Sequence, residues 1–270
     1  MKLSFTTLGC PGWTMEQIVA NAAAMGFDGV ELRGVAGEHI GPDETPADRA
    51  RIRRMFEDAG IEISGIMGYS SFTVDDPARR EESIRVARKF CEVAADIGCP
   101  VLRIFGGALS ENLDWTGNLR RVTDGLKRVT GLAQEAGVKL ALETHDAWTK
   151  GEQVRAVIAA VGSPALGACW DVGNSYFAEP LEVTCAAIAG RVVHVHFKDG
   201  ARGKGSKLPG TGEVDMLKAL ELLRDSGYTG YLSFEWEKKW EPQLEEPEVA
   251  FPQYLRVCED LMARAGVPRG

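Results

Sequence analysis

Eight alternating strand-then-helix segments fit along this 270-residue chain, and that count predicts an α/β fold closed into one (β/α)8 barrel rather than an open doubly wound sheet. Three observations carry the prediction. Short apolar runs of strand length alternate with longer stretches whose apolar residues recur at helical spacing. Glycines stand just past several of the helical stretches, where a helix stops readily. Several strand runs end in a carboxylate or in a Gly-rich or polar loop. No linker or shift in composition marks off a second domain, so residues 1–270 are expected to form a single barrel domain.

In chain order, residues 2–9 read as a strand stopped by Pro11-Gly12, and Thr14 can cap a helix with Met15, Ile18, Val19 and Ala22 on one face, ending at Gly26. Gly29–Arg33 is the second strand and residues 46–59 the second helix; residues 61–67 and 77–97 repeat the pattern. Strand four, Val101–Phe105, runs into Gly106-Gly107. Its helix, about 116–136, carries a stripe of Leu119, Val122, Leu126, Val129 and Leu132. Strand five covers 138–144 and helix five 150–161; strand six is Leu166–Asp171 and helix six 181–189. Strand seven covers 192–198 with a helix at 214–226, and strand eight, 231–235, precedes a last helix over Pro247–Ala265.

Composition narrows the function. The 44% hydrophobic content supports a sizeable core. No run of about 18 apolar residues is available to span a bilayer. The start, Met1-Lys-Leu-Ser-Phe-Thr, reads as a strand and lacks the apolar centre of a secretory signal. Six cysteines, at 10, 91, 99, 169, 185 and 258, show no paired spacing, which suits reduced thiols and a cytoplasmic location. A net charge of −8 argues against a nucleic-acid partner, which would need a basic stripe.

The chemistry concentrates in the run Val192-Val-His-Val-His-Phe-Lys-Asp199. Its period of two puts His194 and His196, two of only four histidines, on one face. Three other strand runs end in a carboxylate: Leu140-Ala-Leu-Glu143, Gly167-Ala-Cys-Trp-Asp171 and Leu232-Ser-Phe-Glu235. The same alternation turns Ala141 and Glu143 inward on strand five, and Glu235 inward with Phe234 and Trp236 outward on strand eight. Reactive groups of such barrels stand at the C-terminal ends of the strands. Glu143, Asp171, His196 and Glu235 then converge as one hard-ligand site. A single carboxylate at a strand end is commonly a helix cap or a surface charge; four at matching positions on consecutive strands are a different matter.

At these residues the chain resembles the xylose-isomerase-like TIM-barrel family of sugar isomerases and epimerases, over nearly its whole length. The resemblance rests on Glu143-Thr-His145, Asp171-Val-Gly-Asn174, His196-Phe-Lys-Asp199, Gly210-Thr-Gly-Glu-Val-Asp215 and Ser233-Phe-Glu235 in that order. It implies that Glu143, Asp171, His196 and Glu235 ligate one divalent metal ion. Three oxygens and an imidazole suit Mn²⁺ first, with Mg²⁺, Co²⁺, Fe²⁺ or Zn²⁺ as alternatives. It also implies that Glu143 and Glu235 are catalytic, carrying a proton between faces or carbons of an enediolate. His145, Asn174, Lys198 and Arg202 would bind the substrate, a small sugar, keto-sugar or polyol. Relatives with this barrel assemble as dimers or tetramers, which leaves room for a homo-oligomer.

Two departures qualify the likeness. Ketohexose 3-epimerases carry a histidine three residues after the metal aspartate and a glutamate six residues after the first ligand, where this chain has Asn174 and Thr149. Arg202, six residues after His196, does match their substrate-binding arginine. The mixture fits a relative acting on another polyol or keto-sugar.

Independently of the family, Trp13, Trp115, Trp148, Trp236 and Trp240 fall just after strands one, four, five and eight, and Tyr69 and Phe72 follow strand three. Rings at the mouth of a barrel suit the apolar faces of a sugar. Trp13, Tyr69, Trp236 and Trp240 are taken as substrate-binding, while part of the set is expected to pack loops. Other groups read as structural: His194 as a hydrogen-bonded barrel residue, and Glu31, Arg33 and Arg103 as a buried ion-paired layer, since an unpaired buried charge is costly. Arg202, Lys204 and Lys207 around a glycine-rich loop could hold an anion. The alternative activity is a lyase or dehydratase acting on a keto-polyol or 3-oxo-glycoside with the same metal site. A zinc endonuclease of the same fold and a non-catalytic sugar-binding protein are further alternatives, opposed by the low histidine count and by the complete ligand set.

Overall fold

The computed structural model describes residues 1–270. Eight parallel strands close into a barrel in the circular order β1-β10-β7-β6-β5-β4-β3-β2. They are β1 (Lys2–Thr6), β2 (Gly29–Arg33), β3 (Glu62–Ser71), β4 (Val101–Phe105), β5 (Lys139–Glu143), β6 (Leu166–Asp171), β7 (Val192–His196) and β10 (Tyr231–Phe234). The helices between them are α1 (Met15–Met25), α2 (Pro46–Ala59), α3 (Pro77–Ile97), α4 (Trp115–Glu135), α5 (Gly151–Val161), α6 (Val172–Ala178), α7 (Leu181–Ala187), α8 (Met216–Asp225) and α9 (Pro247–Ala265). The remaining pair, β8 (Asp199–Ala201) and β9 (Gly205–Lys207), forms an antiparallel hairpin after β7.

The alternating units are therefore found as the sequence predicts, except that strand one ends at Thr6 with Thr7–Gly9 as a 3-10 turn, and with three further differences. β3 runs four residues past the predicted end at Met67, through a register shift against β4 between Met67 and Ser71. The helix predicted over 181–189 is found as α7, and an additional, unpredicted α6 starts at once from Asp171. The loop after strand seven contains the β8–β9 hairpin.

Outward residues of the strands and the inner faces of the helices form one apolar cluster of 66 buried residues, running from Met1 to Val267. At ~25 cal/mol per Å² of buried apolar surface, this layer is the main support of the barrel. Helix starts are secured locally. Thr14 accepts from the backbone N–H of Gln17, whose side chain bonds back to Thr14, and Asp76 caps α3 ahead of Pro77. No helix is long and apolar enough to cross a membrane.

Candidate active site

Four strands deliver one functional group each to the same end of the barrel. Glu143 is the last residue of β5, Asp171 of β6 and His196 of β7, and Glu235 follows directly on β10. The register places Glu143 beside Cys169, Asp171 beside His196, and Ser233 beside His196. With side chains alternating along each strand, all four groups turn into the barrel. Their donor atoms lie within 4.8 Å of one another, and all four residues are buried.

Local structure fixes each group. Asp171 caps α6: one oxygen, Oδ1, accepts from the backbone N–H of Asn174 at 2.7 Å, and its own N–H donates to Thr144 Oγ1 at 2.9 Å. That leaves Oδ2 facing the cluster. His196 Nδ1 lies 2.7 Å from Glu143 Oε1 and 3.5 Å from Glu235 Oε1, while Nε2 lies 3.2 Å from both oxygens of Glu31. Arg103 of β4 sits beneath the two glutamates, with Nε 3.1 Å from Glu143 Oε2 and Nη2 3.7 Å from Glu235 Oε1. It also donates to the Gly68 carbonyl at 2.6 Å and lies over the Phe105 ring. The ammonium of Lys198 donates to Glu235 at 2.5 Å and Glu237 at 2.7 Å, and stands 3.0 Å from Asp171 Oδ2. Gly173 makes room for it: a Cβ there would lie 3.0 Å from Lys198 Cγ.

The cluster carries more negative than positive charge. Glu31, Glu143, Asp171 and Glu235 are buried carboxylates, and only Arg103 and Lys198 are buried fixed cations among them. Burial is the chief reason that the Asp171 carboxyl is pushed up to about 7; Lys198 opposes the rise, and Glu235 and Glu143 add to it. Burial acts the same way on Glu235, but Lys198, His196 and Arg103 outweigh it and hold that group well below the ordinary carboxylate range. For Glu143 burial is likewise overcome, by Arg103 and His196, and its carboxyl is lowered. Burial alone would lower His196, yet the Cys169 sulfur and the Glu31, Glu235 and Glu143 carboxylates carry it well above its ordinary value.

A hard divalent cation fits this arrangement. Asp171 Oδ2 and Glu143 Oε2 are buried and accept no well-aligned hydrogen bond; each faces a single cation, Lys198 at 3.0 Å and Arg103 at 3.1 Å. Arg103 also serves Glu235, and Lys198 also serves Glu235 and Glu237, so the clustered carboxylates share two cations and can accommodate another. The donor set of three carboxylates and one imidazole belongs to the harder end of metal chemistry. Cys169 adjoins the cluster, but burial drives its thiol up to about 12, which disfavours the thiolate needed for ligation or attack.

Beside Lys198 opens a cavity of about 390 Å³, lined by Asn174, Phe177, Arg202, Glu237 and Glu241 among others. Arg202 lies 5.4 Å from the Phe177 ring centroid and donates to the Phe177 carbonyl at 3.2 Å. The predicted residues Asn174, Lys198 and Arg202 thus share one cavity. His145 stacks obliquely on Phe105 at 4.6 Å, and Tyr69 accepts from Arg33 Nε at 3.0 Å, with Arg103 over its ring.

The aromatic rim needs correction. Trp236 is 0% exposed, stacks on Phe234, and donates its indole N–H to the Glu245 carbonyl; it belongs to the apolar layer and not to the mouth. A residue pointing out of a barrel strand enters the helix layer, which is buried. Trp148 is also fully buried and donates to the Gly107 carbonyl. Trp13 is half-buried, edge-on to Phe5 and Phe251, and lines a separate groove with His39 and Lys239. Trp240 is 54% exposed, with Arg33 lying 4.9 Å from its ring centroid. The ion-paired layer is present: His194 lies 2.9 Å from Glu31, Arg33 pairs with Glu38, and Arg103 pairs with two of the cluster carboxylates. Sequence reasoning missed the direct approach of Arg103 to Glu143 and Glu235, and the part played by Glu237 and Phe177. The inward position of Arg103 on β4 was the available signal.

Fold and site together define a (β/α)8-barrel enzyme whose polar centre lies at the C-terminal ends of the strands. Residues 19–258 match the xylose isomerase-like TIM barrel family, and the chain belongs to it. Among its relatives is the L-ribulose-5-phosphate 3-epimerase UlaE of Shigella flexneri serotype 5b (strain 8401), 26% identical over 259 residues that cover 91% of this chain and 89% of the relative. The structure of the IolI protein with a bound zinc atom superposes with a TM-score of 0.84 at 18% identity, covering 98% of this chain and 99% of the other. An L-ribulose 3-epimerase structure gives 0.83 at 19% identity, covering 98% and 95%. At these identities the two structures speak for the fold.

Proposed function

We propose that this chain is a divalent-metal-dependent isomerase or epimerase of a sugar, keto-sugar or polyol, moving a proton through an enediolate with two glutamates. One observation carries the reading: Glu143, Asp171, His196 and Glu235 converge in one buried, cation-deficient cluster at the barrel's C-terminal end. A relative named as a pentulose-phosphate 3-epimerase over 91% of the chain supports it. The four residues would hold the ion, with Mn²⁺ proposed first. Bound there, a divalent cation supplies the positive charge that acidifies the C–H between a carbonyl and a hydroxyl and stabilises the enediolate.

The chain's own residues do the rest. Glu143 and Glu235 reach the cluster from β5 and β10, with β6 and β7 between them, so they approach a substrate from two sides. Arg103 and Lys198 keep both carboxylates ionised, the state a base needs before it takes a proton. Removal by one glutamate and return by the other to the same carbon inverts that centre. Return to the neighbouring carbon exchanges ketone and aldehyde. We assign substrate contacts to Lys198, Asn174 and Arg202 in the cavity, to His145 and Tyr69 at the mouth, and to Trp240 further out.

Glu143→Gln and Glu235→Gln keep size and one oxygen but remove basicity. Turnover should fall by roughly 10²–10⁴-fold, the usual range for a general acid–base group. Excess Mn²⁺ should restore occupancy without restoring rate. If saturating Mn²⁺ returns a variant to near the parental rate, that glutamate is a ligand only. Deuterium from solvent should enter the substrate without loss of water; net dehydration would move the reaction to a lyase.

A further inference from the structure

We infer that Glu31 is a positioning residue, which holds His196 with Nδ1 aimed into the carboxylate cluster and thereby sets the affinity for a divalent cation. The inference rests on the reading of His196 as a cation ligand. Glu31 belongs to β2, on the side of the barrel away from the strands that carry the four proposed ligands; β1 separates β2 from β10. Its side chain nevertheless spans the barrel interior and is fully buried. The register between β2 and β3 shifts between Val30 and Glu31, and the residue paired with Glu31 on β3 is Gly65, which has no side chain to fill the space. On β1 the register partner is Thr6.

Three donors meet this one carboxylate. Ser233 Oγ donates at 2.7 Å, His194 Nε2 lies at 2.9 Å, and His196 Nε2 lies 3.2 Å from each oxygen. A buried carboxylate accepts, so the ring nitrogen facing Glu31 carries the proton. Nδ1 faces Glu143 at 2.7 Å, and with a cation bound there the proton would stay on Nε2 toward Glu31 while the Nδ1 lone pair turned to the ion. A carboxylate behind a ligating imidazole fixes ring orientation and tautomer and raises basicity. Ser233 and His194 hold the carboxylate itself in place. Glu31 is the one acceptor that His196 Nε2 meets.

The test is Mn²⁺ binding by calorimetry to the metal-stripped chain, in the absence of substrate. Glu31→Gln should weaken Mn²⁺ binding by about 10–100-fold, the range known for removing such outer partners. Ser233→Ala, a small change that removes one support of Glu31, should weaken it in the same direction by less and covers the case in which Glu31→Gln does not fold. His194→Gln keeps an N–H donor for Glu31 and leaves the Glu31–His196 contact in place, so it should bind Mn²⁺ close to the parental affinity, although its melting temperature should fall. Equal affinities in all three variants and the parent would overturn the inference while leaving His196 a ligand. Equal weakening in His194→Gln and Glu31→Gln would also overturn it, because a general structural role predicts that pattern. A stoichiometry of two ions per chain would overturn it too, since Glu31, His194 and His196 would then be holding the second ion. A parent that binds no divalent ion at all would instead remove the reading of the cluster as a metal site.

Discussion

Trp236 and Trp240 lie on one loop, four positions apart, and their environments predict opposite behaviour. Trp236 is fully buried in the apolar layer outside β10, stacked on Phe234. Trp236→Ala should therefore cost about 3–5 kcal/mol of stability, as large-to-small changes of buried aromatic residues do. Trp240 is exposed and lies over Arg33. Trp240→Ala should leave the melting temperature nearly unchanged and raise KM more than it lowers kcat if the ring contacts substrate, because uniform binding is read in KM. Melts of both variants with steady-state kinetics decide the matter; an unchanged KM for Trp240→Ala would remove that ring from the binding surface. The four cluster residues were legible because each ends a strand with period-two alternation, and strand ends converge in a closed barrel. The rim was less legible. Position after a strand does not say whether a ring turns to the mouth or under the helix layer.

At the scale of elements, long periodic segments were the readable ones. The span of α9 matches the reading of Pro247–Ala265, since a Pro start, a helical stripe and a terminal glycine all agree. The β8–β9 hairpin has strands of three residues, too short to show a period of two. The short α6 follows β6 without any loop, so nothing in the pattern announces it; only the Asp171 cap does. That abrupt strand-to-helix step matters to the site, because it brings Gly173 against Lys198. Gly173→Ala should favour α6 by about 1 kcal/mol through helix propensity. The added Cβ must nevertheless displace the Lys198 stem, and with it the ammonium that holds Glu235. We expect turnover to drop on the order of tenfold to a hundredfold, as for other small displacements in an active site, with no loss of melting temperature. Unchanged turnover would show that the position of Lys198 is not critical.

For the whole molecule, the cluster turns barrel closure into an electrostatic problem. Closing the cylinder through β5, β6, β7 and β10 brings three carboxylates together in a water-poor interior, with Arg103 and Lys198 as partial compensation. A cation bound only by the folded chain stabilises it by mass action, by about 2.7 kcal/mol when its concentration is a hundred times Kd. At roughly 2–4 °C per kcal/mol for a chain near this size, chelation should lower the melting temperature by about 5–10 °C, and added Mn²⁺ should restore it. Asp171→Asn separates this effect from any unspecific action of the chelator. The amide oxygen can still cap α6, but one negative charge leaves the cluster. In the metal-free state Asp171→Asn should therefore melt above the parent, since like charges no longer oppose closure. With saturating Mn²⁺ the order should reverse, because the parent gains the full binding energy and the variant little of it. Parallel melting curves in both conditions would mean that the four strand ends share a space without forming a cation site.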